Sequence, residues 1–133
     1  MSALTFDQPD LARALAAASA EELDALDFGI IGFDADTVVR QYNRFESQAA
    51  GLSPSSVLGL PLFTTVAPCM NNFMVAQRFE DAAADGTALD ETIGYVLTLR
   101  MKPVKVQLRL LALPGADSSQ SAALRYVLVQ RRL

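Results

Sequence analysis

Histidine is absent from this chain. With it go the commonest general base near neutral pH and the commonest metal ligand. Cysteine occurs once, at Cys69, so there is no internal disulfide framework. One thiol without histidine also excludes a Cys–His nucleophilic dyad and a multi-thiolate metal site. No apolar run approaches the roughly 20 residues needed to cross a bilayer. The start, Met1-Ser2-Ala3-Leu4-Thr5-Phe6-Asp7, lacks a basic signal-peptide region. These absences lead us to expect a soluble cytoplasmic protein that engages neither membrane nor nucleic acid, and the net charge of −4 agrees. Arg125, Arg131 and Arg132 are read as a solvated strand end.

What is present is an apolar chain, 51% hydrophobic over 133 residues, enough for one domain with a real core. Asp7 to Ala18 is expected to be a helix, with Pro9 in its first turn and Leu11, Ala14, Leu15 and Ala18 on one face. Ser19-Ala20-Glu21-Glu22 spells a capping box and opens a short helix through Leu26. Phe28 to Phe33 reads as a buried strand, and Thr37 to Tyr42 returns antiparallel after the turn Asp34-Ala35-Asp36. Asn43 caps a helix that Gly51 ends, and Ser53-Pro54 begins another. A longer helix is expected from Asn71 or Asn72 through Ala84, closed by Gly86, with Phe73 and Phe79 in the core.

Three strands follow. They are Thr92 to Met101; a half-buried strand in which Val104, Val106, Leu108 and Leu110 alternate with Lys105, Gln107 and Arg109; and Arg125 to Gln130. A polar loop, residues 114–121, precedes the last strand. Five strands with helices between them give an α+β fold: an antiparallel sheet packed on one side by helices, in the order of a PAS domain. Residues 1–27 form an N-terminal helical cap and residues 28–133 the core.

Cys69 has two readings on its own: a small buried hydrophobe, or an attachment point for a group that amino acids do not supply. Glu46 stands at the third helical position after Asn43, where a carboxylate supports a helix start. Tyr42 alone is a strand-end aromatic.

Together, Tyr42-Asn43 with Glu46, then Val66-Ala67-Pro68-Cys69, then Met101-Lys102-Pro103-Val104-Lys105-Val106, resemble the photoactive yellow protein family. The resemblance spans essentially the whole chain. It implies a blue-light receptor, not an enzyme, that carries p-coumaric acid (4-hydroxycinnamic acid) as a thioester on Cys69. Tyr42 and a protonated Glu46 would hold the buried phenolate. Val66, Ala67, Pro68, Phe63, Tyr95, Leu97, Met101 and Ile31 would line the pocket. Ala50 stands where well-studied members have a threonine that bonds the tyrosine, and Leu52 where they have an arginine lid. Light-driven trans–cis isomerisation and proton transfer from Glu46 would then release the cap, residues 7–26, to an unknown signalling partner. The chain itself is expected to be a monomer or a weak dimer. The competing reading is a PAS ligand-binding or interaction module that kept the pocket without the pigment.

Overall fold

The computed structural model describes residues 4–98, 103–113 and 125–131. Five strands form one antiparallel sheet: β1 Gly29–Phe33, β2 Val39–Tyr42, β3 Leu89–Leu97, β4 Val104–Ala112 and β5 Arg125–Gln130. Their spatial order is β2-β1-β5-β4-β3, so the first hairpin joins the last three strands through β5. Gly29 pairs with Val129, Leu108 with Val129, and Tyr95 with Val106.

Helices cover both faces, not one. On the first face, α3 Arg44–Ala50, α4 Pro54–Val57 and α5 Ala76–Asp85 enclose a core that includes Ile31, Phe33, Tyr42, Phe63, Phe79, Leu97 and Val129. On the second, Phe6 with α1 Leu11–Ala17 and α2 Ala20–Asp24 packs Leu11, Leu15 and Leu23 onto Ile30, Leu111, Tyr126 and Leu128. Strands buried on both faces read as continuous apolar runs, as Gly29–Phe33 and Tyr126–Val129 do. β4 is therefore not half-buried near its end. Arg109 is only 6% exposed, because its guanidinium donates to Asp90 and to the carbonyls of Phe6 and Gln8.

Those two carbonyls explain why α1 begins at Leu11 rather than Asp7. They face Arg109 rather than the amides four residues on, and Asp10 sits at a left-handed φ of 55°. α5 is also shorter than expected. Asn72 Oδ1 accepts from the amides of Met74 and Val75, a side-chain turn that postpones the helix to Ala76. The same turn carries Phe73 outward, 78% exposed, whereas Phe79 is core as expected. β2 starts at Val39, since Thr37 is left-handed and Asp34 Oδ1 accepts from the Val38 amide. β3 runs from Leu89 to Leu97; Met101 and the 114–121 loop lie outside the described residues. The capping box at Ser19 and Glu22 and the left-handed Gly51 and Gly86 form as the sequence indicates.

Candidate functional site

Cys69 is set by two irregular turns. Leu62–Val66 forms a single π-helical turn, closed by the amide of Ala67 donating to the Leu62 carbonyl at 2.7 Å. Such wide turns are frequent at functional sites. Pro68 then opens a 3₁₀ turn through Met70, and Cys69 lies at its centre, half-buried. Tyr95 Oη donates to the Cys69 carbonyl at 2.5 Å. Asn72 Nδ2 donates to Tyr95 Oη at 2.6 Å and to the same carbonyl at 3.2 Å. The backbone at the thiol is thus clamped from β3 and from the turn before α5. A groove of about 610 Å³ opens beside this clamp, lined by Asn72, Met74, Tyr95, Val96, Lys105 and Val106 with Gly94.

Tyr42 ends β2 and is 7% exposed. Burial, and next the charge of Glu46, raise its pKa above the ordinary value, while Arg131 pulls the other way. One residue on, Asn43 caps α3 and is 2% exposed. Its Oδ1 accepts from the amides of Ile30 and Glu46, and its Nδ2 donates to the carbonyls of Leu23 and Phe28. All four bonds that the side chain can readily make inside a core are made. Asn43 therefore ties α2, β1 and α3 together.

Glu46 is 1% exposed, on the inner side of α3. Both its oxygens are engaged: Arg131 Nη1 donates to Oε1 at 2.9 Å and Nη2 to Oε2 at 3.0 Å. Such two-pronged pairs between a guanidinium and a carboxyl group fix geometry on both sides. Within the polypeptide the carboxyl pairs with Arg131. Burial works against the charge on Arg131, but the hydrogen bonds and charge of Glu46 outweigh it and hold the guanidinium pKa up. Arg131 is not a solvated strand end.

The structure gathers Ile31, Tyr42, Phe63, Ala67 and Leu97 into one core, with Val66, Cys69 and Tyr95 packed against it. Ala50 is buried and offers no side-chain bond to Tyr42, while Pro68 and Leu52 are exposed. Three contributors were missed from sequence: Arg131, Gly29 and Asn72. Arg131 keeps the alternation of Val127 and Val129, which marks the inner face. Gly29 interrupts an apolar strand, a sign of close approach by another group. Asn72, two residues before Met74, carries the side-chain turn.

Among the described residues, no cluster of three or more histidine, cysteine or acidic side chains is placed to hold a metal, and no helix is long and apolar enough to cross a membrane. The residues fit an aryl acyl group: one thiol against an apolar core, and within that core the buried phenol side chain of Tyr42.

No family model matches the chain. It is 36% identical over 110 residues to a photoactive yellow protein from Halochromatium salexigens, covering 83% of this chain and 87% of the relative. It is 31% identical over 118 residues to a photoactive yellow protein from Rhodothalassium salexigens, covering 89% and 94%. Among solved structures it is similar to the photoactive yellow protein domain from the sensor histidine kinase Ppr of Rhodospirillum centenum. That match has a TM-score of 0.75 and 34% identity, over 91% of this chain and 99% of the other. A PAS domain from Colwellia psychrerythraea, at a TM-score of 0.60 and 11% identity over 92% of this chain and 98% of the other, shares the fold alone.

Proposed function

The chain belongs to the photoactive yellow protein family, and from that membership we propose that it is a blue-light receptor with a p-coumaroyl (4-hydroxycinnamoyl) thioester on Cys69. The observation that carries the reading is the placement of the one thiol against the core that contains Tyr42. When bound, the group supplies a double bond that isomerises in light and a phenol that exchanges a proton.

The thiolate of Cys69 attacks the carbonyl carbon of an activated acyl donor; the donor's leaving group departs and the thiol proton goes to solvent. Tyr95 and Asn72 hold the Cys69 backbone while this bond forms. Ile31, Phe63 and Leu97 exclude water from the ring. Tyr42 would donate to the phenolic oxygen of the group, and Glu46 would be the residue that exchanges a proton with it. A change of charge at Glu46 alters a helix whose first turn shares Asn43 with α2. Unpairing a buried carboxylate costs several kcal/mol, a large part of the roughly 5–15 kcal/mol that hold a domain folded. The cap, residues 7–26, is the part that would be released to a signalling partner.

The test is direct. The purified chain is treated with an activated p-coumaroyl donor, then examined by intact mass and absorption. One added acyl group and a visible band, both lost in Cys69→Ala, are the expected result. A chain that stays colourless with a titratable thiol is a pocketed PAS module, and the light-receptor reading ends.

A further inference from the structure

The inner side of β5 is bounded by an arginine at each end. Arg125, Val127 and Val129 alternate along it, and Arg131 continues the pattern just past the strand. Arg125 pairs with Phe33 of β1, and residues directly opposite in a sheet share a face. Arg131 finds its acceptor in Glu46. Arg125 is half-buried, not a solvated strand end, and its Nη1 is buried with no hydrogen-bond partner. Nearly all buried polar groups in folded chains are paired, because an unmade bond costs the full desolvation of the group. A cavity of about 90 Å³ adjoins this guanidinium. Phe33, Phe63 and Phe79 supply its apolar walls. Their rings are buried and meet edge to face, with Phe33 5.5 Å from Phe63 and 4.9 Å from Phe79 between centroids. Glu80 and Ala83 of α5 complete the lining from exposed positions, so water screens the Glu80 charge. The cavity shares no lining residue with the groove beside Cys69.

We propose that this cavity is a second binding site, one that takes a short-chain aliphatic monocarboxylate. Its carboxylate accepts from Arg125 Nη1, and its tail lies against Phe33, Phe63 and Phe79. The ligand class follows from the lining. A carboxylate gives the guanidinium a charge-assisted bond that a neutral acceptor does not. Three aromatic walls reward a hydrocarbon tail, which an inorganic anion lacks. A dianion would bring a second charge toward Glu80. One water-sized group fills roughly 10–15 Å³ of such space, so about six fit, the size of butyrate. The site needs no acyl group on Cys69 and goes beyond the light-receptor reading. The two sites meet at Phe63, which belongs to the π-helical turn before Cys69.

The experiment uses the full chain without any acyl group, in a carboxylate-free buffer at constant ionic strength. Sodium butyrate is titrated while the ¹H–¹⁵N spectrum is followed, and Arg125→Met assigns the Arg125 Nε–H signal. The expected result is a saturable shift at that signal and at the amides of Phe33 and Phe79, with an unfolding temperature that rises with butyrate. A spectrum that butyrate leaves unmoved overturns the proposal. Arg125→Met removes the donor and should weaken binding by about tenfold or more. Unchanged binding in that variant overturns the proposal. Ala83→Leu fills the cavity from an exposed helical position and keeps helix propensity, so it carries the test if Arg125→Met does not fold. Butyrate shifts should vanish in it; shifts that survive place the ligand in the acyl pocket and overturn the proposal. Equal shifts with 1-butanol or with sodium chloride overturn the carboxylate class. Without ligand, Arg125→Met should unfold at no lower temperature than the native chain, since it deletes an unanswered donor. A lower temperature means that Arg125 already has an acceptor, and the site is withdrawn. None of these outcomes bears on attachment at Cys69.

Discussion

The carboxylate of Glu46 occupies the space that any side chain on Gly29 would need. A Cβ built on Gly29 falls 2.0 Å from Glu46 Oε1 and 3.1 Å from its carboxyl carbon. The absence of a side chain on β1 is thus what lets α3 bring an acid down to the sheet. Gly29→Ala should expel the carboxylate and break its pair with Arg131. Overpacking and loss of the pair together predict a destabilisation of about 2–4 kcal/mol. Denaturant unfolding should show a lower midpoint with an unchanged slope. A midpoint equal to that of the native chain would mean that Glu46 has another place to go.

Asn43→Ala should disturb two regions at once. It leaves the amides of Ile30 and Glu46 and the carbonyls of Leu23 and Phe28 short of a partner in a buried place. We expect a loss of about 3 kcal/mol and faster hydrogen exchange in both α2 and α3. Faster exchange in α3 alone would show that α2 does not depend on this residue.

Arg109 holds the N-terminal segment, and its neutral substitute should let that segment go. Nη1 donates to the carbonyls of Phe6 and Gln8 at 2.7 and 2.8 Å. Arg109→Met should expose residues 4–10 to limited proteolysis while the sheet stays folded. Unchanged cleavage would assign the docking to Phe6 and Leu11 alone.

The partner of Arg109 gives a pH dependence. The hydrogen bond from Arg109 comes first in holding the Asp90 carboxyl pKa below its usual value, with burial opposing it. A depressed folded pKa contributes stability that is complete above the ordinary carboxylate value of about 3.9 and fades as pH falls through the lower folded value. The Asp90 side chain is 53% exposed, so the contribution is about 1 kcal/mol or less. Below pH of about 4, the native chain should lose this increment and Asp90→Asn should not. Parallel acid curves for the two chains would remove Asp90 from the account.

Tyr95→Phe should free the thiol. The substitution takes a donor from the Cys69 carbonyl and an acceptor from Asn72. Stability should fall by about 1–2 kcal/mol, and Cys69 should react faster with a disulfide reagent. An unchanged rate would show that the π-helical and 3₁₀ turns fix Cys69 without help from β3.

Local chemistry was legible in the sequence wherever one residue decides it. Asn43 and Gly51 bound α3, and Ser19 with Glu22 caps α2, because each acts within a few residues. Cys69, Tyr42 and Glu46 were found by their resemblance to a family, and the fold places Tyr42 in one core with Cys69 packed against it. What was not legible depends on partners far away in sequence. The alternation through Arg109 suggests a wet face, yet Asp90 and two backbone carbonyls satisfy its donors, and the cap covers it. Arg131 reads as a surface charge until β5 sets it on the inner side of the sheet. Phe73 reads as core because nothing in a helical pattern reveals that Asn72 will turn the backbone first.

The amide of Asn43 draws on both sides of any cut made at residue 28. A fragment that begins there keeps every strand, yet the Leu23 carbonyl that Asn43 Nδ2 bonds goes with the cap. The side chain that positions the Glu46 amide would then seek water or turn. Studies on a trimmed chain would therefore report a differently hydrated acid from that of the intact chain.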